Sequence, residues 1–305
     1  MHTLRRLAEA LSALLLCAGL FACSPAVELP AVTRCDRAES AIRNLAPAGV
    51  DSAGCVLYFV RDGRLCWRAL HDAASGVLIE DETRTVTAVA AGEDAIFFLY
   101  NSAGGTALGR IDDRGRVEYD LCPLPAGTVR LCFSAGELFC ADEAGTCYRL
   151  VGLRHAEPVP VSGIWALTAD AVIFADGAEL RACLRADYTT ITALAAMPGG
   201  TAITAVAVDQ ATEEETRIYV LGEDGQAASF ADGSWSLHGA PWPGADPARF
   251  AVAADGCLVT DAEGVWYVDA MSGGVLRVCD AGEIAVAEDA VYAAPYDGEA
   301  VAVKK

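Results

Sequence analysis

The chain has 305 residues, with 42 acidic and 22 basic side chains, a formal net charge of −20 and 53% apolar residues. A surface this negative repels phosphate backbones and anionic headgroups, which excludes nucleic acid as a partner and electrostatic adhesion to acidic lipid. The apolar fraction excludes a disordered chain, and the length admits either two ordinary domains or one large repeat domain.

At the N-terminus, Arg5 and Arg6 precede a nearly unbroken apolar run from Ala10 to Ala22. A positive start, an apolar stretch of roughly 7–15 residues and a small residue at its end make up an export signal. The run ends in Leu20-Phe21-Ala22-Cys23, which resembles the lipobox of bacterial lipoproteins. That resemblance implies cleavage before Cys23, a diacylglycerol on its sulfur, and a protein anchored to the outer face of the cell membrane. Two other readings stay open. A plain signal cut after Ala18 or Ala22 would release a secreted protein, and an uncleaved spanning helix would need about 20 apolar residues. The expected division is 1–22 signal, 23–35 lipid-anchored tether, and 36–305 the folded domain.

Cys35 to Leu45 carries the only helical pattern. Beyond residue 50 the sequence is a succession of short β-rich runs. The strongest are Val56–Val60, Ile96–Tyr100, Leu138–Cys140, Val172–Phe174, Ile218–Leu221, Leu258–Thr260 and Val291–Ala293. They recur about every 39 residues, close to the period of a four-stranded propeller blade. Val86–Ala90, Ile96–Tyr100, Leu108–Ile111 and Arg116–Tyr119 form the clearest four-strand unit. Asp-Gly pairs such as Asp62-Gly63, Asp176-Gly177 and Asp232-Gly233 supply tight hairpin turns between runs. Several units begin with small apolar strands, among them Ala88-Val89-Ala90, Ala205–Val208, Ala251-Val252-Ala253 and Ala285-Val286-Ala287. Small side chains suit the crowded strand nearest a propeller axis.

The expected fold is therefore all-β, a β-propeller with seven blades. Six or eight would tolerate the same spacing, and a pair of β-sandwiches is the competing architecture. The units resemble those of bacterial propeller-repeat lipoproteins and, more generally, of WD-repeat and receptor-type propellers, without the Trp-Asp or Tyr-Trp-Thr-Asp signatures. Ala253-Ala254-Asp255-Gly256 and Val89-Ala90-Ala91-Gly92 are also similar to the longer-period propellers of the chromosome-condensation-regulator type. The last unit holds strands near 284–287, 290–294 and 299–303 and lacks a fourth. Residues 27–33 are the expected donor, pairing beside 299–303, with Pro30 suiting an outer edge.

Ten cysteines remain beyond Cys17 and Cys23, mostly inside apolar runs where a thiol packs as a small hydrophobe. Two disulfides are conceivable across hairpins, Cys55 with Cys66 and Cys140 with Cys147. No Cys-x-x-Cys occurs, which argues against zinc.

Neither a catalytic residue, a cofactor site nor a metal site emerges. His71, His155 and His238 fall in separate units with no nucleophile at a matching spacing. Glu213-Glu214-Glu215 follows Asp209 in an expected long loop, and Asp112-Asp113 and Glu223-Asp224 read as turns. The most unusual surface segment is Trp235 to Trp242, where Trp235, His238 and Trp242 form the candidate binding surface. Trp67, Trp165 and Trp266 are expected in the core. The expected function is a membrane-anchored binding or scaffold module for an envelope protein or glycan. The alternative is a glycan-active hydrolase or lyase with carboxylates in the propeller funnel.

Overall fold

The structure is a computed structural model that describes residues 48–50, 56–70, 74–212, 215–238, 249–253, 256–261, 263–269, 274–286, 290–296 and 300–304. Seven antiparallel sheets follow one another along the chain, each built from strands in sequence order. Blade one contains β1 (Ala48–Val50), β2 (Val56–Arg61), β3 (Arg64–Ala69) and β4 (Ser75–Ile79). Blade two contains β5 (Thr85–Ala91), β6 (Ala95–Ser102), β7 (Gly105–Asp112) and β8 (Val117–Glu118). In blade three these are β9 (Thr128–Ser134), β10 (Glu137–Asp142), β11 (Cys147–Val151) and β12 (His155–Pro158). Blade four has β13 (Trp165–Leu167), β14 (Ala171–Asp176), β15 (Glu179–Leu184) and β16 (Ile191–Ala196). Blade five has β17 (Ile203–Thr212), β18 (Glu215–Gly222), β19 (Ala227–Ala231) and β20 (Ser234–His238). Blade six has β21 (Arg249–Ala253), β22 (Gly256–Asp261), β23 (Gly264–Asp269) and β24 (Val275–Cys279). Blade seven has β25 (Gly282–Val286), β26 (Ala290–Pro295) and β27 (Val301–Lys304).

The first strands of the blades meet around a centre: β1 touches β5, β5 touches β9, β13 touches β17, β17 touches β21, β21 touches β25, and β25 returns to β1. Blades three and four join through the core of Phe139, Cys147, Trp165 and Val172, which closes the ring and rules out paired sandwiches. The seven strong runs in the sequence are the second strands of the seven blades. They read so clearly because both of their faces are covered. Phe98 on β6 packs toward blade one with Val56 and Ile79, while Phe97 and Leu99 pack toward blade three with Leu131 and Leu138. The alanine-rich runs are the innermost strands β5, β17, β21 and β25, as the crowding argument requires.

Turn chemistry follows the Asp-Gly signals. Asp62 and Gly63 have φ of 52° and 74°, and Asp232 and Gly233 have 49° and 72°. Two consecutive positive φ values match the right-handed twist of the flanking strands, and Asp-Gly reaches them at low cost. Asp112 caps its own turn, accepting the Arg114 and Arg116 amides at 3.0 and 2.8 Å.

Two expectations need correction. Asp209 to Thr212 belong to β17 and Glu215 opens β18, so these residues are strand rather than loop, while Glu213 and Glu214 lie outside the described residues. Cys140 and Cys147 do not form a disulfide. The turn from Asp142 to Gly145 sets Ala141 opposite Cys147 and Cys140 opposite Tyr148. That single-residue offset sends Cys140 toward blade two and Cys147 toward blade four. The eight described cysteines are free thiols, seven of them buried. Cys55, the partner expected for Cys66, lies outside the described residues. So do Cys23, the 27–33 strand, the 35–45 helix, His71 and Trp242.

Candidate functional site

Three features of the ring bear on function: a polar network between blades three and four, a groove at the seam of blades seven and one, and an apolar outer rim.

The network begins with Glu137 at the start of β10. Its carboxylate accepts hydrogen bonds from Tyr188 Oη and Arg185 Nη2, with Arg149 Nη1 at 3.3 Å. Arg185 lies beyond β15 and reaches into blade three, donating to the Ser134 carbonyl at 3.0 Å and the Thr168 carbonyl at 2.8 Å. Arg149 stacks over the Tyr188 ring at 4.4 Å and donates to Glu157 at 2.8 Å. Beside it, Phe97, Phe133, Glu137 and Arg149 line a cavity of about 240 Å³. Every strong donor and acceptor in this cluster is matched, so it ties two blades together.

Burial pushes the Glu137 carboxyl up, but the Tyr188 hydroxyl and the Arg185 guanidinium outweigh it and hold its pKa below the ordinary value. The sign follows from linkage. A depressed carboxylate contributes its full stability above the unfolded-chain pKa near about 4.3 and loses it as pH falls through the lower folded value. Asp81 and Asp187 act in the same direction, each lowered to about 2 by hydrogen bonds from Thr83 and from Thr190 and Thr189 respectively. Urea midpoints of the parent chain are expected to fall steeply below about pH 4. Glu137→Gln should start lower at neutral pH and fall less on acidification; parallel curves would remove Glu137 from the acid response.

At the seam, Tyr296 stacks on Phe59 of β2, with centroids 5.3 Å apart and planes 18° apart. Arg61 lies over the same tyrosine at 5.5 Å, and Tyr296 Oη donates to Glu283 at 2.8 Å. The buried Arg68 donates to the Pro295 carbonyl. Outside this contact, Phe59, Arg64, Cys66, Trp67, Val77 and Tyr296 border an open groove of about 280 Å³. Gly76 lets Trp67 lie flat against β4, because a Cβ there would fall 2.7 Å from Trp67 Nε1.

Of the expected binding surface, Trp235 and His238 lie on β20, and Trp242 lies outside the described residues. Trp235 stands opposite Phe230 and His238 opposite Ala227 on the same strand pair. Their odd separation places them on opposite faces of β20. Trp235 meets Phe230 at a tilt of 53°, with centroids 5.1 Å apart, and packs on the core shared by blades four and five. His238 bonds Ser229 Oγ at 2.7 Å and approaches Tyr219 on the other side. Burial, with Arg217 nearby, lowers the His238 pKa. Trp165 is fully buried, while Trp67 and Trp266 are half-buried. His155 lies on an outer strand, 3.1 Å from Glu157. Among the described residues, no group of three or more His, Cys, Asp or Glu side chains could hold a metal ion. Asp112, Asp187, Asp224 and Asp261 accept backbone amides in turns.

Composition and motifs did not mark the rim. Leu184 and Ile191 of blade four, Leu237 of blade five, and Val275 and Leu276 of blade six are exposed, Leu237 at 59% and Leu276 at 64%. An outer strand carrying apolar residues on its open side was the available signal, as in Ser234-Trp235-Ser236-Leu237.

No protein-family model matches the sequence, and no curated protein matches it either. Solved structures do. Kluyveromyces lactis Hsv2 is 8% identical with a TM-score of 0.56, over 85% of this chain and 90% of that one. YCF48, solved bound to a D1 peptide, is 10% identical with a TM-score of 0.53, over 92% and 98%. PorZ, a bacterial surface component of the type-IX secretion system of Porphyromonas gingivalis, is 16% identical with a TM-score of 0.49; the match covers 87% of this chain and spans 38% of that one. At these identities the likeness to Hsv2 and YCF48 carries the fold alone, and that fold is a seven-bladed β-propeller.

Proposed function

We propose that this protein is an envelope scaffold, exported by its N-terminal signal, held to the membrane by lipid on Cys23, and binding protein partners on the outer rim of its ring. The exposed apolar side chains on the outer strands of blades four, five and six carry this reading. Apolar side chains gathered on the outer strands of three successive blades suit a partner surface better than solvent. The same strands present unpaired backbone groups along their outer edges, which favours a protein surface over a small ligand. YCF48 engages a peptide with the same fold, which is the kind of use proposed here. The Arg5-Arg6 start and the Leu20–Cys23 ending support the anchor.

Cross-linking and recovery from envelope extract tests both halves. The parent chain should fractionate with membranes and retain a stoichiometric protein partner, and Cys23→Ser should move it to the soluble fraction. Leu237→Asp with Leu276→Asp should weaken partner recovery at least about tenfold while changing stability by no more than about 0.5 kcal/mol per site. Unchanged recovery would dismiss the rim, and unchanged fractionation of Cys23→Ser would dismiss the anchor.

A further inference from the structure

Among the described residues each blade presents one outermost strand with an open edge, and most of these edges carry a device that discourages pairing with a further strand. β8 has only two residues, β12 bears His155 and Glu157 and ends in Pro158, β24 bears Arg277, and β27 ends in Lys304. Leu78 and Ile79 of β4 are buried against blade two. β20 is uncharged but shorter, and the chain beyond it lies outside the described residues. β16 has none of these features. Ile191-Thr192-Ala193-Leu194-Ala195-Ala196 is the longest outermost strand described, and it contains no charge, no proline and no glycine. Ile191, Thr192, Ala193 and Ala196 are exposed, Ile191 at 42%.

The strand is also fixed at both ends. Before it, Asp187 accepts the Thr189 and Thr190 amides at 2.9 Å each, and the Leu184 amide donates to the Thr190 carbonyl at 2.9 Å. After it, the Met197 amide donates to the Ala178 carbonyl at 2.8 Å, and Met197 is buried in the core shared by blades four and five. Leu194 forms a bulge between the pairs Arg181–Ala193 and Leu180–Ala195, which sets both Leu194 and Ala195 on that core. Ile191 to Ala193 remain a regular stretch whose edge faces outward. A fixed row of open amides and carbonyls recognises an extended chain, which supplies matching groups at the same repeat.

Charge narrows the partner. Asp187 stands before β16, and Glu179 lies opposite Ala196 at its far end. Asp176 and Glu179 share one counter-ion, Arg181, at 3.1 and 2.7 Å, so both ends of the strand are acidic. The whole chain carries −20, and pairing two copies edge to edge would bring like charges together. We infer that β16 is a docking edge for an extended segment of a protein partner, an uncharged stretch flanked by basic residues, which adds as a fifth strand of blade four. This rests on the partner binding proposed above and narrows it to one edge and one mode of contact.

Hydrogen exchange on the full chain reads this edge directly, because alternate amides of an outermost strand point away from the sheet. In the free protein the outward amides of Ile191–Ala193 are expected to exchange near the unstructured rate and the inward ones slowly. The probe is a short peptide of alternating valine and threonine with lysine at both ends, at millimolar concentration. The same peptide with glutamate at both ends is its control. The lysine peptide should slow the outward amides at least about tenfold and leave those of β12 unchanged, and the glutamate peptide should do neither. Thr192→Pro or Ala193→Pro, whichever residue has the fast amide, removes an outward donor without breaking a bond to β15 and should abolish the protection at an unchanged Tm. Outward amides already slow in the free chain would overturn the inference. So would equal protection by both peptides, protection by neither, or protection that survives the proline. Leu237 and Leu276 lie on other blades, so failure at β16 with partner recovery still lost in their Asp variants removes strand addition alone. Failure of both removes the binding function itself.

Discussion

Arg185→Met is expected to destabilise the ring by about 4 kcal/mol, because it removes the buried cation of a matched cluster and leaves its acceptors unpaired. The Arg185 side chain is only 6% exposed, yet it joins Ser134 and Glu137 of blade three to Thr168 of blade four. Methionine fills similar volume but leaves the Ser134 and Thr168 carbonyls without this donor, at residues that are themselves buried. For a protein of this size the loss corresponds to a fall in Tm of roughly 10 °C. Arg185→Lys keeps the charge but not the planar fork, so it should recover less than half. A loss below about 1 kcal/mol in urea titration would mean that the cluster is ornamental to stability.

Trp165→Ala should cost still more, about 5 kcal/mol. Trp165 is fully buried between blades three and four, among Cys132, Phe139, Cys147 and Phe174. Its Nε1 donates to the Gly145 carbonyl at 3.0 Å. Above its ring, at 4.0 Å, sits the guanidinium of Arg130, whose Nε and Nη2 are buried without a hydrogen-bond partner. Burial lowers the Arg130 pKa, and the indole face is the attraction that offsets that desolvation. Alanine would therefore open a cavity, orphan a carbonyl and strip a buried cation of its aromatic face together. Trp165→Phe retains a ring and most of the volume and should recover more than half of the loss. If alanine and phenylalanine prove equally costly in calorimetry, the hydrogen bond to Gly145 outweighs the packing and the cation contact.

Both predictions concern one junction because blades three and four meet through unusually polar material. The junction of blades one and two, by contrast, is aliphatic and aromatic, with Val56, Ile79 and Phe98 packed together. Hydrophobic packing tolerates small shifts, whereas a guanidinium shared by several carbonyls fixes position.

How much of this was legible in the residues differs by feature. Val291-Tyr292-Ala293 announced blade seven because its side chains are covered on both sides. Ala88-Val89-Ala90 announced an inner strand because only small side chains fit where β5 meets β1 and β9. Trp235 and His238 looked like one surface by proximity along the chain, although three residues of separation on a strand already implied opposite faces. Cys140 and Cys147 looked like a pair because they flank a turn. Their faces depend on how Asp142–Gly145 folds, where the Gly145 amide bonds the Asp142 carbonyl at 2.9 Å. The Arg185–Glu137 contact joins residues 48 positions apart, and no local pattern marks it.

The sequence by itself determined the all-β class, the repeat and its seven units. Burial on both faces of a strand leaves a periodic apolar record, and tight turns require Asp-Gly. Only the tertiary structure decided which thiols face each other, which charges join blades three and four and which outer side chains reach solvent. Those depend on register and on the packing of one blade against the next, and a strand shifted by a single residue reverses every face while its composition stays the same.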